Sequence, residues 1–385
     1  TQGEYGLSRG FDQASHPRLV VLSDVPAGLA GWLRTRTREL GITLIEADGL
    51  APDTYPQAAA AAGVEAFDDI VLLGPHHPES FQAAMALAAP GAGLIVASSE
   101  PLPGPAPVDV GRLHYDRILL GGTAGYDLAS GYHPFEGEPK PGGVLWVIGG
   151  GGPMGHMHVQ RALQAGLGAP RRVIVSDLLA DRLAVVKAKF GPLAQRNKVD
   201  LVCLAEPEFT PDAFQARMAE LTGGCGPDYI VVLAPVASVV ERAYTFLAAG
   251  GVLNIFAGLN RGTMAALDLN AVRDERQLRL VGSSGSAIAD LRRVLDKALE
   301  GVLSPEQSVA AVTGLEGARE GMEGVAAQRF AGKVVVYPQA RNLPLTTLAE
   351  MPERMPEVAA RLGDGGIWTN EAEEALLRRY VVGEA

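Results

Sequence analysis

Apolar runs of strand length alternate with Ala- and Leu-rich stretches of helical length through nearly the whole chain. That alternation is the pattern of β-α-β units stacked around a parallel sheet. In the second half the elements follow one another plainly: VLWVIG (144–149), a helix to about residue 165, RRVIVSD (171–177), the helical LADRLAVVKAKFG, DLVCLA (200–205), a helix near 211–222, YIVVLA (229–234), a helix over 237–249, VLNIFAG (252–258) and LRLVGS (278–283). Six strands with helices between most of them predict a complete α/β, doubly wound parallel sheet.

The first half repeats this in shortened form. DIVLLGPHHPESFQAAMALAAPGAGLIVA (69–97) lies over YIVVLAPVASVVERAYTFLAAGGVLNIFA (229–257) at an offset of 160, placing Pro75 on Pro235, Leu87 on Leu247, Gly91 on Gly251 and Ala97 on Ala257. GGTAG (121–125) returns to that register against GSSG (282–285), after a one-residue slip near Asp109 and Asp268. Upstream, residues 18–48 match VLWVIGGGGPMG and its continuation to Asp177, with the third strand missing. Any two β-α-β units share a binary pattern, but coincident Pro, Gly and Ala positions at one offset favour duplication. The expected organisation is an extension (1–15), a degenerate module (16–130), a Pro- and Gly-containing linker (131–142), a complete module (143–337) and a helical tail (338–385).

Composition narrows the function classes. A chain of 385 residues has room for two or three domains at about 150 residues each. The 47% hydrophobic content and mean hydropathy of +0.12 suit large buried cores. With 33 Lys and Arg against 44 Asp and Glu the net charge is −11, and no local basic patch offsets it, which argues against nucleic-acid or anionic-membrane partners. No window reaches about 18 uncharged apolar residues, and TQGEYGLSRGFDQ lacks a basic start followed by an apolar run, so no membrane span or secretory leader is expected and the location is expected to be cytoplasmic. A first residue of Thr leaves processing or truncation upstream open. Cys203 and Cys225 are the only cysteines, too few for a disulfide framework or a multi-cysteine zinc site.

The candidate chemistry begins at GGGGPMG (149–155). Gly150, Gly152 and Gly155 fit G-x-G-x-x-G directly after a strand and at the opening of a helix: the first for a tight turn, the second for close approach of backbone to a pyrophosphate, the third for helix-on-strand packing. Backbone N–H groups at the helix start then face the phosphates with the positive end of the helix dipole. The second strand ends at Asp177, 22 residues beyond Gly155, where a carboxylate can accept from both adenosine ribose hydroxyls. Leu178 and Leu179 follow it, with no Arg or Lys for a 2′-phosphate, so the cofactor expected is NAD rather than NADP.

From here the sequence resembles a family. GGGGPMG, SDLLADRLAVVKAKFG, TGGCGPDYIVVLAPV, AAGGVLNIFAG, LVGSSG and FAGKVVVYPQ are similar, in order and spacing, to the nucleotide-binding Rossmann half of the medium-chain, zinc-type alcohol dehydrogenases. The branch it looks most like is that of the polyol and sugar-phosphate dehydrogenases of the sorbose-1-phosphate reductase kind, whose tail resembles NLPLTTLAEMPERMPEVAARLGDGGIWTNEAEEALL. The resemblance covers about residues 141–385. It implies that Gly150, Gly151, Gly152, Pro153, Met154 and Gly155 hold the pyrophosphate, that Asp177 holds the adenosine ribose and that Arg182 lies along the adenine. It implies further that Ala234, Pro235, Val236, Ala257, Gly258, Ser283 and Ser284 line the nicotinamide side.

The front of the chain departs from that family. Its members begin with a β-rich, chaperonin-10-like domain carrying Cys, His and often Glu for catalytic zinc and four close cysteines for structural zinc, and none of these is present, so no metal site and no catalytic residue is assigned. His156 and His158, two apart on a helix, point about 200° apart and cannot chelate one metal together; a solvent-facing or capping role is expected for His156. His76 and His77 fall at a strand C-terminal end in a surface loop, and His114 and Tyr115 are expected to pack. In the first module SDVPAG (23–28) keeps only Gly28 of the fingerprint and sets Asp24 where a pyrophosphate would lie, so no second cofactor is expected there despite Asp48. Superfamily members pair their nucleotide domains through the sixth strand, so RILLGG (117–122) and QLRLVG (277–282) are expected to pair, either with each other as a pseudo-dimer in one chain or across a homo-oligomer. The function expected is NAD(H)-dependent oxidation or reduction of an alcohol, polyol or sugar phosphate. The alternatives are a non-catalytic NAD-binding protein, or a fragment or subunit whose zinc domain lies elsewhere.

Overall fold

Val144 to Ile148 is apolar on both faces and buried along its whole length, as a parallel strand between two helical layers requires. The computed structural model describes residues 16–74, 76–125, 127–132, 139–282, 284, 288–327, 329–330 and 332–382. In chain order the strands are β1 (Leu19–Leu22), β2 (Thr43–Glu46), β3 (Phe67–Leu73), β4 (Ala88–Ala97), β5 (Ala106–Asp109), β6 (Leu119–Thr123), β7 (Val144–Ile148), β8 (Arg172–Asp177), β9 (Asp200–Ala205), β10 (Tyr229–Val232), β11 (Val252–Ile255), β12 (Met264–Leu267), β13 (Arg279–Gly282), β14 (Val309–Thr313), β15 (Lys333–Val336) and β16 (Thr346–Thr347). The fold is α/β with mostly parallel strand pairing, and the six strands read from the second half are β7, β8, β9, β10, β11 and β13. The chain forms two compact units that cut across its linear order: residues 1–138 with 218–284, and residues 139–217 with 285–385.

The first unit contains two parallel ribbons, β3-β4-β6 from the first module and β10-β11-β13 from the second. They share strand order and direction with a one-residue difference in register: Ile70 pairs with Leu94, and Ile230 with Leu253, positions 160 and 159 apart. The ribbons join through β6 and β13, which run antiparallel with Leu120 opposite Leu280. A second antiparallel pair, β5 with β12, sets Pro107 against Ala266. Close packing repeats in the same way. A Cβ built on Gly282 would stand 2.2 Å from the Leu113 carbonyl oxygen, and one on Gly122 would stand 3.0 Å from the Arg273 Cβ; residues 122 and 282, like 113 and 273, are 160 apart. The same contact made twice with roles exchanged is what a two-fold axis generates. Of the two pairings expected for these strands, the structure shows the one within a single chain, β6 with β13.

β1 and β2 form a separate parallel pair, with the helix Ala27–Leu40 packed through Leu33 onto Leu22 and Ile42. Between β2 and β3 there is only a 3-10 turn, Pro52–Thr54, and a helix, Tyr55–Ala61, so the third strand is absent where the sequence lacked it.

The second unit carries parallel β7-β8-β9 and the helices Pro153–Leu163 and Ala180–Arg196. It also holds β14 between parallel β15 and antiparallel β16. The residues read as a closing tail are built into its core: Met351, Met355, Val358, Trp368 and Leu376 are buried with Val309 and Val312. Thr369 caps the helix Asn370–Leu377 by accepting from the Ala372 N–H at 3.1 Å.

Candidate nucleotide site

In the second unit β7 ends at Ile148 and the chain turns at Gly149, whose φ of +74° lies in the left-handed region that favours glycine. The tight turn assigned from sequence to Gly150 is thus made one residue earlier. Gly150 is needed for another reason: its Cβ would stand 2.3 Å from Val175 Cγ1 on the neighbouring strand. Gly155 has the packing role expected, since its Cβ would stand 2.3 Å from the Gly150 carbonyl oxygen. Gly151 could carry no side chain either, because its Cβ would fall 2.8 Å from Asp177 Oδ2 and 2.6 Å from Arg182 Cβ. The loop, Asp177 and Arg182 are therefore brought together.

Gly152 is different. It precedes the helix Pro153–Leu163 with φ −86° and ψ 172°, no side chain caps that helix, and the nearest atom to a Gly152 Cβ is the Gly149 oxygen at 3.9 Å. Pro153 has no N–H, and the first-turn N–H groups of Met154 and Gly155 have no intrahelical acceptor. An open space beside uncapped donors at a helix N-terminus fits a phosphate. Lys333, an exposed residue at the start of β15, brings its Nζ to 3.8 Å from Met154 Sδ. It stands within the FAGKVVVYPQ motif but received no role in the sequence reading, because only the fold carries β15 to this helix.

Asp177 is 8% exposed. Its Oδ2 accepts from the Gly151 N–H at 2.9 Å and its Oδ1 from the Leu179 N–H at 3.1 Å. A carboxylate offers about four acceptor positions, so about half remain open to further donors. The first module reverses this device. Asp24, held at φ +50° in the turn after β1, accepts from the Gly49 N–H at 3.0 Å and from the Ser23 hydroxyl at 2.9 Å. Those hydrogen bonds hold its carboxyl below the usual carboxylate range, which leaves an anion where a phosphate cradle would be.

His156 corrects the sequence reading. It is 1% exposed rather than solvent-facing or capping, lies edge-on to Phe190 at 5.4 Å, and neither ring nitrogen has a hydrogen-bond partner. Burial, with the nearby Lys189 charge, pushes its pKa down to about 4. His158 is half-buried on the same helix. His76 is half-buried, with its pKa lowered chiefly by burial, and His77 directly precedes the helix Pro78–Ala86.

In the first unit Ala234, Pro235 and Val236 form the turn after β10, closed by the Val236 N–H on the Ala234 oxygen at 2.8 Å; Pro235 and Val236 are exposed. Ala257 follows β11, is buried, and donates to the Val232 oxygen at 2.9 Å, so these two loops leave adjacent parallel strands side by side. Gly258 is exposed, Ser284 is half-buried, and Ser283 lies outside the described residues. His114 is buried as expected, whereas Tyr115 is 40% exposed rather than packed away.

Among the described residues no three His, Cys, Asp or Glu side chains group closely enough to hold a metal. Cys203 is half-buried, with burial raising its pKa, and Cys225 is exposed.

The family described as zinc-binding dehydrogenase matches residues 153–300. Residues 153–300 are thus similar to the zinc-binding dehydrogenases. The chain is 33% identical over 258 residues to the uncharacterized protein YggP of Escherichia coli, covering 64% of this chain and 59% of that protein. It is 29% identical to mannitol-1-phosphate 5-dehydrogenase of Aliivibrio fischeri (67% and 62% covered) and 28% identical to L-sorbose 1-phosphate reductase of Klebsiella pneumoniae (66% and 60%). The chain thus spans about three fifths of these curated relatives. Among solved structures, alcohol dehydrogenase TADH from Thermus sp. ATN1 matches 51% of this chain and 53% of its own with 23% identity and a TM-score of 0.40. No helix among the described residues is long and apolar enough to cross a membrane.

Proposed function

We propose that this chain binds NAD(H) and acts in the cytoplasm as a medium-chain oxidoreductase on an alcohol, polyol or sugar phosphate. The observation that carries the reading is the loop from Gly149 to Gly155. Four of its glycines are forbidden a side chain by the turn or by neighbouring atoms, while Gly152 alone opens onto free space at an uncapped helix N-terminus. In this reading Gly150 to Gly155 receive the pyrophosphate, Lys333 adds a cation beside them, Asp177 accepts from the adenosine ribose and Arg182 lies along the adenine. Ala234 to Val236, Ala257, Gly258, Ser283 and Ser284 serve the nicotinamide side. NAD supplies hydride acceptance or donation; the residues of this chain bind and orient it. The polyol-phosphate class rests on the names of two relatives, mannitol-1-phosphate 5-dehydrogenase and L-sorbose 1-phosphate reductase.

A second reading has its own observation. The helix Ile288–Leu299 buries no residue and exposes Ile288, Leu291, Val294, Leu295 and Leu299. Exposed apolar surface of this extent marks an interaction face, which supports a subunit whose catalytic domain lies elsewhere.

Nicotinamide fluorescence titration tests the cofactor: NADH binds the wild type, and binding is lost in Gly152→Val and Asp177→Ala. Absence of NADH binding by the wild type removes both readings. Turnover of NADH with a panel of ketose and polyol phosphates then separates an enzyme from a binding subunit.

A further inference from the structure

We propose that the first module supplies the nicotinamide end of the cofactor site with a positioning residue, Tyr115, so that the module without a phosphate cradle serves as a built-in partner to the module that has one. This rests on the NAD reading above.

The placement is specific. A Cβ built on Gly258, in the loop after β11, has one atom within 4 Å, the Tyr115 hydroxyl oxygen at 3.3 Å. Tyr115 belongs to the helix Val110–Asp116 of the first module, and Gly258 to the loop assigned to the nicotinamide side in the second. The helix is fixed against that loop at its other end too, where a Cβ on Gly111 would stand 2.1 Å from the Asn260 oxygen.

The ring is held from two sides. His114, next to it, donates from Nδ1 to the carbonyl of Ile255, the last residue of β11, at 3.1 Å, and stands edge-on to the Tyr115 ring at 4.6 Å. The Arg261 guanidinium lies 5.1 Å from the ring centroid and is itself anchored through Nε and Nη2 to Asp116 Oδ1 at 2.9 and 2.7 Å. Despite these restraints the side chain is 40% exposed. An aromatic ring restrained by its surroundings yet partly exposed, with a hydroxyl at its tip, suits a ligand that is part planar ring and part polar amide. Nicotinamide with its carboxamide is such a group. The ring covers it against water and the hydroxyl hydrogen-bonds to the amide.

The test compares two probes on the full chain, NADH and ADP-ribose, which shares the adenine, ribose and pyrophosphate but lacks nicotinamide. Tyr115→Ala is expected to weaken NADH about three- to tenfold and to change the emission of bound NADH, with ADP-ribose affinity unchanged. Tyr115→Phe, which keeps the ring, is expected to restore part of the loss, and Asp177→Ala to weaken both probes. Equal affinity and emission for NADH in wild type, Tyr115→Phe and Tyr115→Ala overturns the proposal. So does a parallel loss of NADH and ADP-ribose in Tyr115→Ala, which would make the residue merely structural. A wild type that binds neither probe removes the cofactor reading itself, an outcome distinct from both.

Discussion

Leu120 lies opposite Leu280 in an antiparallel strand pair, and the two are 160 residues apart, the offset that superimposes the halves of the chain. A residue meets its own counterpart only on a two-fold axis, so the pairing carries the geometry of an isologous dimer. Here both sides belong to one polypeptide and are present at fixed stoichiometry.

Gly282→Ala drives a Cβ to 2.2 Å from the Leu113 oxygen and 2.4 Å from its carbonyl carbon, backbone that cannot step aside. We expect a loss of about 1–3 kcal/mol, read as a lower midpoint in thermal or urea unfolding. An unchanged midpoint would mean that the two modules do not dock as described.

Gly155→Ala and Gly152→Val should fail in different ways. The first pushes into the Gly150 backbone and lowers the melting temperature; the second points into open space and leaves it unchanged while NADH affinity falls more than about tenfold, because the side chain occupies the phosphate position. Scanning calorimetry with and without NADH distinguishes the two.

Lys333→Ala is expected to weaken NADH about two- to fivefold at low ionic strength, with the difference shrinking as salt screens the exposed cation. Titrations at two salt concentrations check this, and an effect insensitive to salt would argue against a charge role.

His156 makes stability depend on pH. Its folded pKa of about 4 lies below the ordinary value of 6.5, so between those values the unfolded chain binds more protons and stability falls as pH falls, by at most about 1.4 kcal/mol per pH unit. His156→Leu removes the buried, unpartnered imidazole. The variant should be more stable than wild type near pH 5 and show a flatter pH profile in urea unfolding, while the contribution of His158, whose pKa is also lowered to about 4, remains.

The first module is expected to hold no second cofactor. Equilibrium dialysis should give one NADH per chain in the wild type and also in Asp24→Gly, since removing the anion leaves the other lost glycines unrestored. Two per chain would show that β1 and its turn form a working site.

Much of this protein was legible in its sequence because its signals are local and periodic. Apolar runs buried on both faces gave the strands and a strand followed by spaced glycines gave the loop, whereas the hydrogen bond from the Gly151 N–H to Asp177 was not foreseen. An offset of 160, with one slip, pointed to duplication and offered β6 and β13 as strands that pair either with each other or across chains; the structure shows the first. Where side chains end up between elements was not legible. His156 is polar in sequence, yet sits on the inner face of its helix against Phe190. The fingerprint names glycines by spacing, but only the packing of Val175 and the turn at Gly149 reveal which atom forbids each side chain.

The sequence by itself determined the α/β class and the order of elements, and pointed to a glycine loop and two related modules, because these follow from binary pattern and backbone freedom. Tertiary structure alone decided that the modules pair within one chain, that Lys333 stands beside Met154, and that Tyr115 stands beside Gly258. These are contacts between residues more than a hundred positions apart, set by how strands register and helices close on them.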